Sequence, residues 1–296
     1  MTDDRPSTEE STIQEAFSLV GNEVRADVLR ALGRSHAEDP RGTISFSTLR
    51  ERVDGSMDSS QFNYHLQQLV PTFVRRGEDG YRLHPRGLKL YRAIAAGTYT
   101  REEVLAPVEA DFECHFCESP VVGRYEDDRF TVRCTYCDHV YARRMVPPSA
   151  VEDWRDVLRR VDRAVRADLL TAADGVCPSC LNEMDVAFLP AEEAPVEEDL
   201  HLDVVVVRTC DHCGARRVMS VGETQIGNAD LIAFANERGL DVPSTPVWQL
   251  EFAATDRHTE VLSRDPWRVE LSVPIEGDTL TLTITADLSV ESSTVD

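Results

Sequence analysis

"DSSQFNYHLQQLV", residues 58–70, decides how the first third of the chain is read. Phe62, Leu66, Leu69 and Val70 recur at i, i+4, i+7 and i+8, one stripe of an amphipathic helix. Asp58 stands where an N-cap belongs and Gln61 follows three residues later, a capping-box arrangement. The opposite face carries Ser60, Tyr64 and Gln67, flanked by Ser59, Gln61, Asn63 and Gln68. Small and amide side chains can hydrogen-bond base edges, with Asn and Gln suited to adenine, and a helix N-terminus suits a phosphate. The competing reading is a solvated polar face on a module that binds protein. His65 reads as packing beside Leu66 rather than as a base or a ligand.

Working outward, residues 13–20 and 22–32 read as helices, the second with Val24, Val28, Leu29 and Leu32 at helical spacing. A loop, SHAEDPRG, follows. Residues 43–46, TISF, read as a short strand, and 47–53 as a short helix capped by Ser47. After the central helix, FVRRGEDGYRLHP alternates around Glu78-Asp79-Gly80, the pattern of a β-hairpin. It carries Arg75 and Arg76 on one strand and Arg82 on the other, suited to clamp backbone phosphate. Residues 86–97 close the segment as a helix ending at Gly97. Helix–helix–strand–helix–helix–hairpin–helix is the order of a winged helix-turn-helix, expected over 12–97 behind a flexible acidic tail, 1–11.

The charge complicates that expectation. The chain carries 53 acidic against 31 basic residues, a formal charge of −22, and Lys89 is its single lysine. Excess carboxylate keeps a protein hydrated and self-repelling where salt screens everything else, so this balance points to a high-salt cytoplasm. It is also uneven: residues 12–96 sum to +2 and 97–296 to −21. The segment of the opening stretch is locally basic. MTDDRPSTEEST offers neither the basic nor the apolar region of a signal peptide, and no run approaches a membrane span. A cytoplasmic protein without membrane contact is expected.

All eight cysteines fall into four Cys-x-x-Cys pairs. Cys114/Cys117 and Cys134/Cys137 form one set, and Cys177/Cys180 and Cys210/Cys213 a second. Each pair lets two thiolates meet one tetrahedral ion, and two pairs complete a closed four-sulfur site. VVGRYEDDRFTVR between Cys117 and Cys134 reads as strand–turn–strand, and MDVAFLP and LDVVVVRT do the same around the acidic loop AEEAPVEED. Two zinc ribbons are expected, 110–145 and 174–224, each with one structural zinc ion. Disulfides conflict with a cytoplasmic chain, and an iron–sulfur centre is the second choice for the same thiolates. His115, His139 and His212 lie in or beside the knuckles and read as loop residues. Metal binding would contribute to the folding of such small modules.

Between the ribbons, residues 149–173 read as a long connecting helix. Val151, Trp154, Val157, Leu158, Val161, Val165 and Leu169 form its stripe, and Arg155, Arg159, Arg163 and Arg166 track the other side. A dimer helix and a helix packed on a ribbon both fit. Residues 225–290 read as a capped helix ending at Gly239, then the strands VWQLEF, PWRVELSVPI and TLTLTITADLSV of a small antiparallel sheet. The expected class is α+β: winged helix-turn-helix, two zinc ribbons, connecting helix and C-terminal sheet. No Gly-rich phosphate loop, Ser/His/Asp set or pair of catalytic carboxylates stands out, so no enzyme is expected.

SSQFNYHLQQL resembles the recognition helix of ArsR-like winged-helix regulators, and NEVRADVLRAL the helix that precedes their helix-turn-helix. With the paired cysteines and DPWRVELSV, the layout is similar to a haloarchaeal group of such regulators. The resemblance implies a DNA-binding transcriptional regulator, double-stranded DNA as partner and a homodimer on two half-sites. ArsR metal sensors place cysteine in or near the winged helix; residues 1–113 hold none, so metal sensing by that route is not implied. The alternative is a transcription-apparatus protein, since archaeal transcription factor E also combines a winged helix with a zinc ribbon.

Overall fold

The structure is a computed structural model that describes residues 13–70, 72–152, 156–196 and 200–296. The segment read as a tail, Trp154 of the stripe, Arg155 of the opposite side, and residues 197–199 of the acidic loop lie outside them. The chain divides into two compact units. One runs to Arg101 and takes in Pro147–Ser149; the other comprises Glu102–Val146 and Ala150–Asp296.

The first unit holds α1 (Ile13–Val20), α2 (Glu23–Glu38), α3 (Phe46–Asp54), α4 (Ser59–Leu69), the strands β1 (Val74–Gly77) and β2 (Gly80–Leu83), and α5 (Pro85–Ala95). Side chains start its helices: Asn22 accepts from the Arg25 N–H, Ser45 from Thr48, Asp58 from Ser60 and Gln61, and His84 from Arg86. Val28, Leu29, Leu49, Phe62, Leu66, Leu69 and Val74 are fully buried in one core. Gly80, at φ +146°, closes the hairpin against Ile44; a Cβ there would come within 2.3 Å of the Ile44 carbonyl oxygen.

Four local expectations are corrected here. α2 runs on to Glu38 through the stretch read as a loop. The strand expected at 43–46 is one bridge, Ile44 to Tyr81, because Phe46 already begins α3 and packs edge-on against Phe62 at 5.4 Å. The cap of α3 is therefore Ser45, not Ser47. At α4 the Asp58 carboxylate caps alone, at 2.8 and 3.3 Å, without the return bond from Gln61 that a capping box needs.

The second unit opens with a four-stranded antiparallel meander, β3 (Leu105–Glu113), β4 (Pro120–Glu126), β5 (Arg129–Cys134) and β6 (Val140–Met145). α6 (Val157–Ala173) packs on one face, where Tyr125, Phe130, Val132, Val157, Val161 and Trp248 form a core. A three-stranded sheet follows, β7 (Asp185–Pro190), β8 (Val204–Thr209) and β9 (Arg216–Met219). Then come α7 (Val221–Thr224), α8 (Ala229–Glu237) and α9 (Glu251–Ala254). A second meander ends the chain: β10 (Thr259–Arg264), β11 (Trp267–Ile275), β12 (Asp278–Thr285) and β13 (Val290–Val295). β11 and β12 turn at Glu276-Gly277, both at positive φ, as a tight two-residue hairpin loop requires. Leu271, Leu282, Val206, Met219, Leu231 and Leu250 share the larger core of this unit.

Three corrections concern this unit. The helix expected to begin at 149 has a short 3-10 turn at Pro148–Ala150, and α6 itself starts at Val157. Its arginine face is not uniformly solvated. Arg166 is buried and donates to the Thr245 carbonyl at 2.6 Å, and buried Asp162 accepts from the Val247 N–H at 2.8 Å. The stripe of α6 is thus packed inside the unit on both sides. VWQLEF is not a strand. Val247–Gln249 is a 3-10 turn and Glu251–Ala254 is α9, and Val247, Trp248, Leu250 and Phe252 are all buried. Among the described residues no helix is long and apolar enough to cross a membrane.

Candidate metal centres and recognition face

Each Cys-x-x-Cys pair sits in a knuckle at a strand or helix end. Cys114 follows β3 and Cys117 precedes β4; Cys134 ends β5 and Cys137 precedes β6. Cys177 and Cys180 lie between α6 and β7, and Cys210 and Cys213 between β8 and β9. The backbone is the same in all four. The N–H of Cys114, Cys134, Cys177 and Cys210 bonds to the carbonyl five residues on, at Ser119, His139, Asn182 and Ala215. The residue four after each of these cysteines is left-handed: Glu118, Asp138, Leu181 and Gly214, with φ between 58° and 72°. Three of the four are not glycine, a conformation that costs a side chain on the order of 1 kcal/mol. The backbone bond from each cysteine N–H to the carbonyl five residues on closes the knuckle around it.

The four knuckles meet two by two. Cys114, Cys117, Cys134 and Cys137 bring their sulfurs within 4.8 Å of one another, and so do Cys177, Cys180, Cys210 and Cys213. The close sulfur pairs are 3.4 and 3.7 Å apart in the first cluster and 3.5 and 3.6 Å in the second. A disulfide needs about 2 Å, and every cysteine is free. A tetrahedron with metal–sulfur bonds of about 2.3 Å has edges of about 3.8 Å, close to what the thiols already make. Each cluster can therefore hold a metal ion on all eight predicted ligands, four per site. Cys117 and Cys180 are held down at about 6, first by the N–H of Ser119 and Asn182, so one thiolate per site is favoured by backbone donors. Burial pushes Cys137 up to about 12; a cation is what would let all four ionise together.

The histidines beside the knuckles have other work. His115 Nε2 lies 3.0 Å from the Trp248 carbonyl oxygen, and its N–H bonds to the Tyr141 hydroxyl, which itself donates to the Cys114 sulfur. His139 is the loop residue its position suggests, and it is buried against Phe116 and Tyr141, ring centroids 4.5 and 4.4 Å away. His212 is exposed. Sequence reading missed this aromatic shelf because its members come from three separate segments.

On α4, Phe62, Leu66 and Leu69 are fully buried, while Ser59, Ser60, Gln61, Asn63 and Tyr64 are exposed, Tyr64 to 61%. Gln67 is half-buried and donates to the Asn63 side chain at 3.3 Å. On the hairpin, Arg75 and Arg82 are directly paired across β1 and β2, and Arg76 lies over the Tyr81 ring. All three arginines are exposed. Like charges directly opposite each other are unfavourable without a counter-charge. Burial first, then the charges of Arg75 and Arg86, lower the His84 pKa from its ordinary value. The predicted residues thus lie on two adjacent elements of the first unit.

One feature of the second unit has no sequence signal. A cavity of about 330 Å³ is lined mainly by apolar side chains such as Val140, Leu169 and Val218, and by Glu223. Glu223 closes a capping box with Ser220 at the start of α7. Burial pushes its carboxyl up to about 7. Gly222 beside it lets α7 and α9 meet; a Cβ there would fall 1.7 Å from the Phe252 carbonyl oxygen.

A fold of small antiparallel sheets around two four-cysteine clusters, joined to a helical unit with a hairpin, is the class these observations define. The chain belongs to the family described as a domain of unknown function (DUF7351), whose model matches residues 111–290. Residues 13–94 match a second domain of unknown function (DUF7347). No curated protein and no solved structure matches the chain.

Proposed function

We propose that this protein is a sequence-specific DNA-binding transcriptional regulator. A winged helix-turn-helix in the first unit reads an operator, and the second unit, built on two structural zinc ribbons, serves as a partner or effector module. The observation that carries the reading is the division of α4: one side sealed by Phe62, Leu66 and Leu69, the other offering Ser60, Asn63 and Tyr64 to solvent. An amide-rich helix face of this kind suits base edges in the major groove. The opposed Arg75 and Arg82 find in backbone phosphate the counter-charge they lack. Local charge removes the objection from overall acidity, since residues 12–96 sum to +2 while the excess of carboxylates belongs to the rest of the chain.

Zinc is the ion we assign to both clusters. Four sulfurs close each site and leave no position for water, so the ion is structural rather than catalytic. The packed stripe of α6 leaves the helix at residues 86–96 as the homodimer contact. The excess of carboxylates and the single lysine fit a high-salt cytoplasm. Selection of bound duplexes from a random-sequence pool by the full-length protein tests the reading. Enrichment of one two-part motif is expected; a pool that stays random after repeated rounds would refute it.

A further inference from the structure

The meander β3–β6 packs α6 on one face and turns a second face away from it. Side chains alternate along a strand, so Tyr125, Phe130 and Val132 point to the core while their neighbours point out. Those neighbours include Arg124 on β4, Arg129 and Arg133 on β5 and Arg143 on β6. The register centres them on Thr131, which pairs with Arg124 on one side and Arg143 on the other. Arg129 and Arg133 stand two residues before and after it. From strand and residue spacings the four arginines mark a diamond of about 10 by 13 Å. They enclose a depression of about 200 Å³, lined also by Glu126 and Asp127.

Charge makes this depression unusual. Its lining sums to +2, four arginines against two carboxylates, inside a segment of −21. Arg133 pairs with Asp138 at 2.7 Å. Arg124 and Arg129 form no ion pair among the described residues, and both are exposed. Gathering guanidiniums on adjacent strands costs energy unless an anion sits among them. Arginine matches phosphate with paired N–H donors, and the Thr131 hydroxyl stands at the centre.

The surroundings decide how large the anion is. Glu126 ends β4 directly opposite Arg129, Asp127 begins the β4–β5 turn, Asp138 lies beyond the far end of β5, and exposed Glu109 stands opposite Val122 on the β3 side. An extended polyanion leaving the depression would run onto carboxylates. A compact dianion would not.

We infer that this face of the first cysteine-cluster sheet binds a phosphate dianion, either free phosphate or the phosphomonoester of a small molecule. The inference rests on the reading of the second unit as an effector module and gives that effector its chemistry. The test is calorimetric titration of the full-length protein, as purified, with inorganic phosphate, with glycerol 3-phosphate and with the selected DNA duplex. The wild type is expected to bind at least one of the two phosphates. The pair Arg124→Ala with Arg129→Ala should weaken that binding at least tenfold, with metal content, melting temperature and duplex affinity unchanged. Tighter binding of glycerol 3-phosphate than of phosphate identifies an organic effector, and the reverse a phosphate sensor; either supports the site. Arg129→Gln serves if the double variant does not fold. Absence of binding by both phosphates, or binding that survives these changes, overturns the inference. Duplex affinity that falls with the double variant while neither phosphate binds also overturns it, in favour of a nucleic-acid backbone contact. Loss of the DNA reading alone would leave the phosphate titrations intact, so the two fail separately.

Discussion

The two units hold themselves together in different ways. The first has no cysteine and relies on helices whose apolar stripes converge: Leu29, Leu49, Phe62, Leu66 and Leu69 are fully buried in one core. The second is made largely of strands of four to nine residues, and the ends of its first two sheets are tied into sulfur clusters by four copies of one knuckle. Charge divides along nearly the same line, +2 for residues 12–96 and −21 for 97–296. A helical core supplies enough burial to stand without a clamp. The second unit buries larger cores, and the four knuckles at the ends of its first two sheets would add a metal-linked contribution to its folding.

The largest effect should come from removing the clamp. Structural zinc contributes on the order of 10 kcal/mol to the folding of small metal-bound modules. Elemental analysis of protein never exposed to chelator should give two zinc ions per chain, and Cys134→Ser should give one. Chelation should melt the second unit while the helical signal of the first persists. One cooperative loss of both would break the comparison.

Next in size is a cavity in the clamp-free unit. Leu66→Ala removes a fully buried side chain and should cost about 2–5 kcal/mol in denaturant unfolding of the first unit. Metal content should stay at the wild-type value. A loss of metal in this variant would mean that the units do not fold separately.

What could be read from sequence, and what could not, follows the same division. α4 was legible because its apolar period is helical and Asp58 marks its start. The knuckles were legible because the spacing of thiols is itself the chemistry. β3 and β6 were not: LAPVEADFE is broken by Pro107 and acidic residues, and VYARRM is short and arginine-rich. VWQLEF alternates like a strand, yet its segment is buried on several sides at once and turns instead. The burial of Arg166 and Asp162 was not legible because their partners, Thr245 and Val247, lie 79 and 85 residues away. No local pattern announces a partner at that distance. Glu223 was invisible for the same reason, since its environment is assembled from several segments.

Glu223 gives a pH test within the second unit. Its folded pKa is raised to about 7 from an ordinary 4.5 by burial, so the folded state favours the protonated form. Its contribution is fully present below about 4.5 and is lost as pH rises through 7, by up to about 3 kcal/mol. Glu223→Gln keeps a side chain that suits the capping box. The variant should gain stability over wild type between pH 5 and pH 8, measured by denaturant unfolding at both. A difference that is flat or of opposite sign would show that the carboxylate is ionised at little cost.

The smallest effects bear on the central claim, that α4 reads base edges and the hairpin arginines only hold backbone. Each phosphate contact gains affinity through counterion release, and that gain shrinks as salt rises. At high salt, uncharged contacts must therefore carry more of the binding. The deciding measurement is a binding isotherm on the selected duplex from low to molar potassium chloride, for wild type, Tyr64→Ala, Gln67→Ala and Arg75→Ala. Tyr64→Ala and Gln67→Ala should each cost about 1–3 kcal/mol at every salt concentration and relax sequence preference. Arg75→Ala should weaken all duplexes alike, chiefly at low salt. Binding at molar salt that is abolished by Arg75→Ala and untouched by Tyr64→Ala and Gln67→Ala would contradict the account.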